Sequence, residues 1–207
     1  MQKFESKELW NFEVVNPSNP YFQYKFTKRL SKQEKPRGAG IYVWIANLKD
    51  GTSKVCYTGS YKNSKNNNKV YDDRWHPHIH SKTHRGGFGK AFGFGSKKKW
   101  IERFLPIYKK YGFNTDITLF EDRFTSSGSQ ASVNRCEFSL SHWDTLDMKN
   151  PFTILWFPST LDGKEIEHRE LAEINPVVNA EINEEYDQNK NTMNIDETIA
   201  LIKKVLA

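Results

Sequence analysis

The stretch GIYVWIANLKDGTSKVCYTGS, residues 40–60, decides how the chain folds. Residues 40–48 are a nearly continuous apolar, β-branched and aromatic run, a polar break holds Asp50-Gly51, and residues 54–60 resume the strand pattern. A strand, tight turn, strand order of this kind reads as a β-hairpin whose first strand is covered on both sides. Asp-Gly is the preferred pair for a two-residue type I′ turn. That turn pairs Lys49 with Thr52, and hence Ala46 with Val55, Trp44 with Tyr57 and Tyr42 with Gly59. Tyr42 and Tyr57 become diagonal neighbours on one face, and a slip of one residue turns Tyr57 to the other face.

Working outward, residues 1–38 are an aromatic and basic lead-in closed by Pro36-Arg37-Gly38, which reads as an arm packed on the domain. After the hairpin, residues 61–71 are polar and low in complexity. Asp72 and Asp73 then offer an N-cap to a short helix with Pro77 in its first turn, and Arg74 and His78 share a face at i and i+4. The glycine-rich run 85–95 has no strand or helix period and lacks the preceding strand of a nucleotide loop, so it reads as an exposed loop. Trp100, Phe104, Ile107, Tyr108 and Tyr111 mark an amphipathic helix that stops at Gly112, is kinked by Pro106, and is predicted to cover the sheet. Strands are predicted at 116–120 and 152–157, and helices at 164–174 and 196–206, the last capped by Asn194 or Asp196. The pattern is α+β: a small central sheet flanked by helices, with a core at about 39–180, insertions at about 61–73 and 113–151, and a helical extension at 181–207.

The 207 residues, 37% hydrophobic with mean hydropathy -0.76, suit one soluble domain with a single core. No run approaches the ~20 apolar residues of a membrane span, and MQKFESKELWNF lacks the basic and apolar regions of a secretory signal, so a cytoplasmic protein is expected. Two cysteines, Cys56 and Cys136, exclude a disulfide framework and a thiolate zinc cluster. The formal charge of +6 is uneven: residues 61–110 hold thirteen Lys/Arg against three Asp/Glu, residues 161–207 five against eleven. A phosphate backbone is the natural partner of the basic centre, although Lys-rich loops are as often plain solvated surface.

Chemistry concentrates at three places. Glu167 falls with Leu171 and Ile174 at i, i+4, i+7 and so looks inward, as an ion-pair partner, a metal ligand or a catalytic acid. His76, His78, His80 and His84 would gather on one side of an extended segment, as a zinc site requires, but scatter on a helix, which favours DNA-facing histidines. The third place is the Tyr42/Tyr57 face of the hairpin.

In chain order stand Gly40-Ile41-Tyr42, Tyr57-Thr58-Gly59, Arg74 with His78, and Glu167 followed by Pro176 and Asn179. This set resembles the GIY-YIG nuclease superfamily, closest in style to its restriction-endonuclease branch. The resemblance implies that Tyr42 and Tyr57 line an active site, that Arg74 contacts the scissile phosphate, that His78 joins the catalytic set, and that Asn179 supports it. It also implies that Glu167 binds one divalent metal, Mg²⁺, with Mn²⁺ expected to substitute. Thr58 stands where Ile is usual, on the face opposite Tyr57, and Arg85 is the alternative to Arg74 across the long 61–73 loop. Lys62, Arg85, Lys90, Lys97, Lys98 and Lys99 are the expected DNA contacts.

One inward carboxylate suffices for Mg²⁺, which keeps several waters and shares substrate oxygens. Tyr42, with a reference pKa near ~10, needs help to act as a base, and His78 or metal-bound hydroxide could give it. The expectation is a Mg²⁺-dependent DNA endonuclease, site-specific and either restriction-type or phage-encoded, acting on a palindrome as a homodimer if it cuts both strands. The alternative is a nucleic-acid-binding domain on the same scaffold that does not cut.

Overall fold

The computed structural model of the chain describes residues 1–14, 24–28, 35–62, 69–79, 94–118, 124, 128–142, 144–159 and 195–207. Its elements run β1 (Gln2–Glu5), α1 (Ser6–Leu9), β2 (Trp10–Val14), β3 (Tyr24–Lys28), β4 (Gly40–Asn47), β5 (Ser53–Tyr61), α2 (71–79), α3 (97–110), α4 (Gln130–Ser141), β6 (Phe152–Pro158) and α5 (Ile195–Val205). Antiparallel pairing orders one four-stranded sheet as β1-β6-β4-β5, and β2 and β3 form a separate two-stranded ribbon. The architecture is α+β. Within the amino-terminal segment, Gln2–Glu5 is a strand of the central sheet, paired along β6. Among the described residues no helix is long and apolar enough to cross a membrane. The predicted helix at 164–174 lies outside the described residues.

The hairpin reaches the expected register by an unexpected route. Leu48 N–H bonds the Thr52 carbonyl at 2.9 Å, leaving a three-residue loop, Lys49-Asp50-Gly51, in place of the two-residue turn. Gly51 takes φ +84°, the left-handed position that a three-residue loop needs at its last residue. Beside the turn, therefore, Asn47 meets Ser53 and Ala46 meets Lys54, not Val55. A β-bulge between Trp44 and Ile45 then leaves Cys56 as an extra residue on β5, and beyond it Trp44 faces Tyr57 and Tyr42 faces Gly59 as predicted.

Alternation along the strands gives the sheet two unlike faces. Ile41, Val43, Ile45, Val55, Leu155 and Phe157 fill one, and α5 closes it with Ile202 buried and Ile199 and Val205 alongside. Thr58, paired with Val43, is buried on that side too. The other face carries Phe4, Tyr42, Trp44, Phe152, Ile154 and Trp156, closed by Trp75 and Ile79 of α2, Trp10, and Phe138 of α4.

Both glycines that flank the tyrosines are sterically required. A Cβ on Gly59 would lie 2.5 Å from the Tyr42 ring, which crosses the strand at that point. One on Gly40 would meet the Trp156 ring at 2.8 Å and the Phe157 carbonyl closer still.

Two helices widen one turn ahead of a proline. Proline has no N–H for the carbonyl four residues back and crowds it. In α2 the residue before Pro77 reaches one further, His76 N–H to the Tyr71 carbonyl, and in α3 Leu105 N–H reaches the Trp100 carbonyl ahead of Pro106. Each is a single π turn, which removes the conflict without breaking the helix. Hence Pro77 is tolerated well past the first turn of α2, which is already helical at Val70 and so does not start after an aspartate cap. Asp72 and Asp73 lie inside the first turn, where negative charge suits the helix dipole.

The apolar face of α3 does not cover the sheet. Trp100, Phe104, Ile107 and Tyr108 pack with Phe94 and with Val133, Cys136 and Leu140 of α4, a second core made of helices. Arg103 donates to the Gly128 carbonyl at 2.6 Å and Lys110 to Glu137 at 2.6 Å, which ties α3 to α4 near both ends of the pair. Helix α3 ends as predicted at Gly112, φ +72°, with Phe113 N–H on the Tyr108 carbonyl at 2.9 Å in a Schellman cap. No strand forms at 116–118: Asp116 accepts from the Thr118 N–H and hydroxyl at 3.0 and 2.8 Å, a local turn, and residues 119–120 lie outside the described residues.

Candidate active site

Helix α2 lies across the aromatic face of the sheet because Val70, Tyr71, Trp75 and Ile79 point into it. Trp75 meets Phe4 edge-on at 5.4 Å between centroids, and Tyr71 stacks on Trp10 at 5.5 Å and donates its hydroxyl to the Leu9 carbonyl at 2.8 Å. These contacts fix the helix, and so fix His78.

His78 sits between the two tyrosines. Its Nε2 is 3.4 Å from the Tyr42 hydroxyl, and its ring centroid is 5.1 Å from that of Tyr57 and 6.3 Å from that of Tyr42. The tyrosine rings are 6.1 Å apart, which realises the diagonal pairing read from the hairpin. Trp44 presents an edge-on wall to the imidazole at 6.1 Å. Tyr42 is only 2% exposed, whereas Tyr57 and His78 are half-buried. The accessible part of the cluster is therefore its Tyr57 and His78 side.

The imidazole is held neutral. Desolvation, then the Arg135 charge, then the Arg74 charge push its pKa well below the ordinary histidine value. A neutral ring keeps one nitrogen lone pair, so Nε2 can accept the Tyr42 proton when the other nitrogen bears hydrogen.

Arg135 was not singled out as a site residue from the sequence. It comes from α4, inside the 113–151 insertion, and its guanidinium lies 5.3 Å from the centre of the Tyr57 ring. On the same side of that helix Phe138 is buried in the aromatic core, and His142 packs on Phe138 at 4.8 Å. The i, i+3, i+7 spacing puts Arg135, Phe138 and His142 on one side of a helix, but nothing in that spacing points to Tyr57.

Arg74 is exposed on α2, four residues before His78, and its charge acts on both His78 and Tyr61. Tyr61, on the same face of β5 as Tyr57, donates to Asp73 at 2.7 Å. Lys62, Lys97, Lys98 and Lys99 are exposed, the three consecutive lysines forming the first turn of α3 behind a Ser96 cap. His76 serves the core: its Nδ1 accepts from Trp10 Nε1 at 3.0 Å. Glu167, Asn179, Arg85, Lys90, His80 and His84 lie outside the described residues. Among the described residues no three His, Cys, Asp or Glu side chains gather as a metal cluster, and Glu167, the predicted metal ligand, lies outside them.

No protein-family model, curated protein or solved structure matches the chain.

Proposed function

We propose that the chain is a Mg²⁺-dependent DNA endonuclease that hydrolyses phosphodiester bonds, with a GIY-YIG-like site and a restriction-type or phage setting. The observation that carries this reading is the meeting of a buried tyrosine hydroxyl, a neutral histidine and a second tyrosine within the charge field of two arginines. Such a set suits a reaction that moves a proton and stabilises an anion.

In this hydrogen-bonded pair the Tyr42 oxygen takes a proton from the attacking water as its own proton passes to His78 Nε2, a relay that the bound phosphate assists by offsetting the arginine charges on the imidazole. The exposed guanidinium of Arg74 meets phosphate oxygens, where negative charge grows in the transition state. Glu167 would hold the Mg²⁺ ion, which when bound would supply Lewis-acid polarisation of the phosphate and charge compensation at the leaving oxygen. The lysines at 97–99 and Lys62 contribute backbone attraction independent of sequence.

A second reading, a nucleic-acid-binding domain on the same scaffold that does not cut, draws on the 2% exposure of Tyr42, since water must reach its hydroxyl past His78. A plasmid-nicking assay with and without Mg²⁺ separates the two. Metal-dependent nicking by the wild type, abolished in Glu167→Gln with DNA binding retained, is the expected result. DNA binding with no nicking under any metal condition would leave only the second reading.

A further inference from the structure

Arg135 is held more firmly than an arginine on a surface loop. Helix α4 that carries it is packed on both sides, against the sheet through Phe138 and against α3 through Val133, Cys136 and Leu140. Arg103 donates to Gln130 in the first turn of α4 and Lys110 to Glu137 farther along, which ties that helix to α3 at two points. The guanidinium rests over Tyr57, whose ring is itself 5.1 Å from His78. A guanidinium that stacks on an aromatic ring uses its face for that contact, and its N–H edge is the part that recognises a planar or tetrahedral oxyanion.

We propose that Arg135 and Arg74, reaching the Tyr57–His78 pair from two different helices, form a two-arginine seat for a phosphate group. Arg135 lies over Tyr57 beside His78, and Arg74 stands exposed on α2 four residues before His78, so the two cations flank the accessible side of the cluster, where one anion can meet both guanidiniums. The effect of both charges on His78, described above, is in keeping with this placement. Assigning the phosphate to DNA rests on the endonuclease reading, whereas the seat itself can be tested without any cleavage.

The test is a titration of the full-length protein with inorganic phosphate, following the ring resonance of His78 and the Nε–H resonance of Arg135 by NMR. Among the described residues, the groups facing His78 that bear on its titration are Tyr42 from β4, Tyr57 from β5, Arg74 from α2 and Arg135 from α4. In the wild type both resonances should move along one saturation curve in the millimolar range, and the apparent pKa of His78 should rise when phosphate is bound, because the anion offsets the arginine charges. Arg135→Gln should weaken phosphate binding by roughly tenfold or more, and Arg135→Lys, which keeps the charge without the stacking fork, by less.

A wild-type protein in which neither resonance moves would overturn the seat. So would an Arg135→Gln protein that binds phosphate as the wild type does, since Arg135 would then only brace Tyr57. Should that variant not fold, the wild-type Arg135 Nε–H decides alone: shifted with the His78 curve supports the seat, unmoved overturns it. Phosphate binding without DNA nicking leaves the seat and removes the endonuclease reading, and Mg²⁺-dependent nicking without a phosphate response does the reverse.

Discussion

The two faces of the central sheet are built from the same strands and differ in almost every other respect. Ile41, Val43 and Ile45 alternate along β4 with Tyr42, Trp44 and Ala46, so one residue in two serves each side. The first set is aliphatic and is closed by the amphipathic helix α5. The second is aromatic, carries hydroxyl and imidazole groups, and is closed by helices that bring Arg74, His78 and Arg135 with them. What separates a structural face from a chemical one is the pleat, whose period of two distributes a single run of sequence between unlike tasks.

The sharpest way to break this contrast is to alter one residue on each side. Tyr42→Phe removes only an oxygen and should lower cleavage by about 10²–10⁴-fold while moving unfolding stability by no more than ~1 kcal/mol. Phe157→Ala on the aliphatic face should cost about 3–5 kcal/mol in denaturant unfolding, with the folded fraction still cutting at the wild-type rate. If Tyr42→Phe unfolded the protein and Phe157→Ala silenced it, the division of labour would be reversed.

Gly59→Ala tests the junction between packing and chemistry. Its methyl group would occupy the space of the Tyr42 ring, 2.5 Å away, so the ring must swing off the strand. A loss of roughly 1–3 kcal/mol is expected, together with loss of the Tyr42–His78 contact in a nuclear Overhauser spectrum. A variant that kept that contact would mean that the ring has room to spare.

The smallest effect expected is a response to acid. Burial first, and the Lys54 charge second, hold His142 down to about 4, and His78 is also held well below its ordinary value. Both native values lie beneath the unfolded value of about 6.5, so their contribution is complete above that pH and is lost as pH falls toward the native values. The described core of the aliphatic face contains no titratable group. Amides of α2 and α4 should therefore lose hydrogen-exchange protection on acidification before those of α5, and His142→Gln should reduce that asymmetry. Equal loss across both faces would refute it.

How far the sequence reveals this arrangement depends on how cleanly each segment shows its period. The hairpin, β6, the helix ending at Gly112 and the carboxyl-terminal helix each carry a strong apolar repeat. Helix α4 does not, because Ser132, Asn134 and Ser139 are buried among its apolar positions and Phe138 serves a different core from Val133, Cys136 and Leu140. Strand β1 has a single buried apolar residue, Phe4, too little for a pattern. The shared face of Tyr42 and Tyr57 followed from strand pairing, and His78 from its spacing to Arg74. Arg135 could not follow from either, since only tertiary packing between an unrecognised helix and β5 brings it over Tyr57.

The hairpin tip and the bulge at Cys56 behave like a frameshift and its suppressor. The third loop residue displaces the pairing by one position, and the extra residue on β5 displaces it back before Tyr57 is reached. In space, however, the two act separately: removing one residue from the tip would still leave Leu48 opposite Thr52, now across a two-residue loop, and removing Cys56 would still leave Tyr57 opposite Trp44. A length change at the exposed tip therefore stays at the tip, and the face shared by Tyr42 and Tyr57 is insulated from it by the paired residues between.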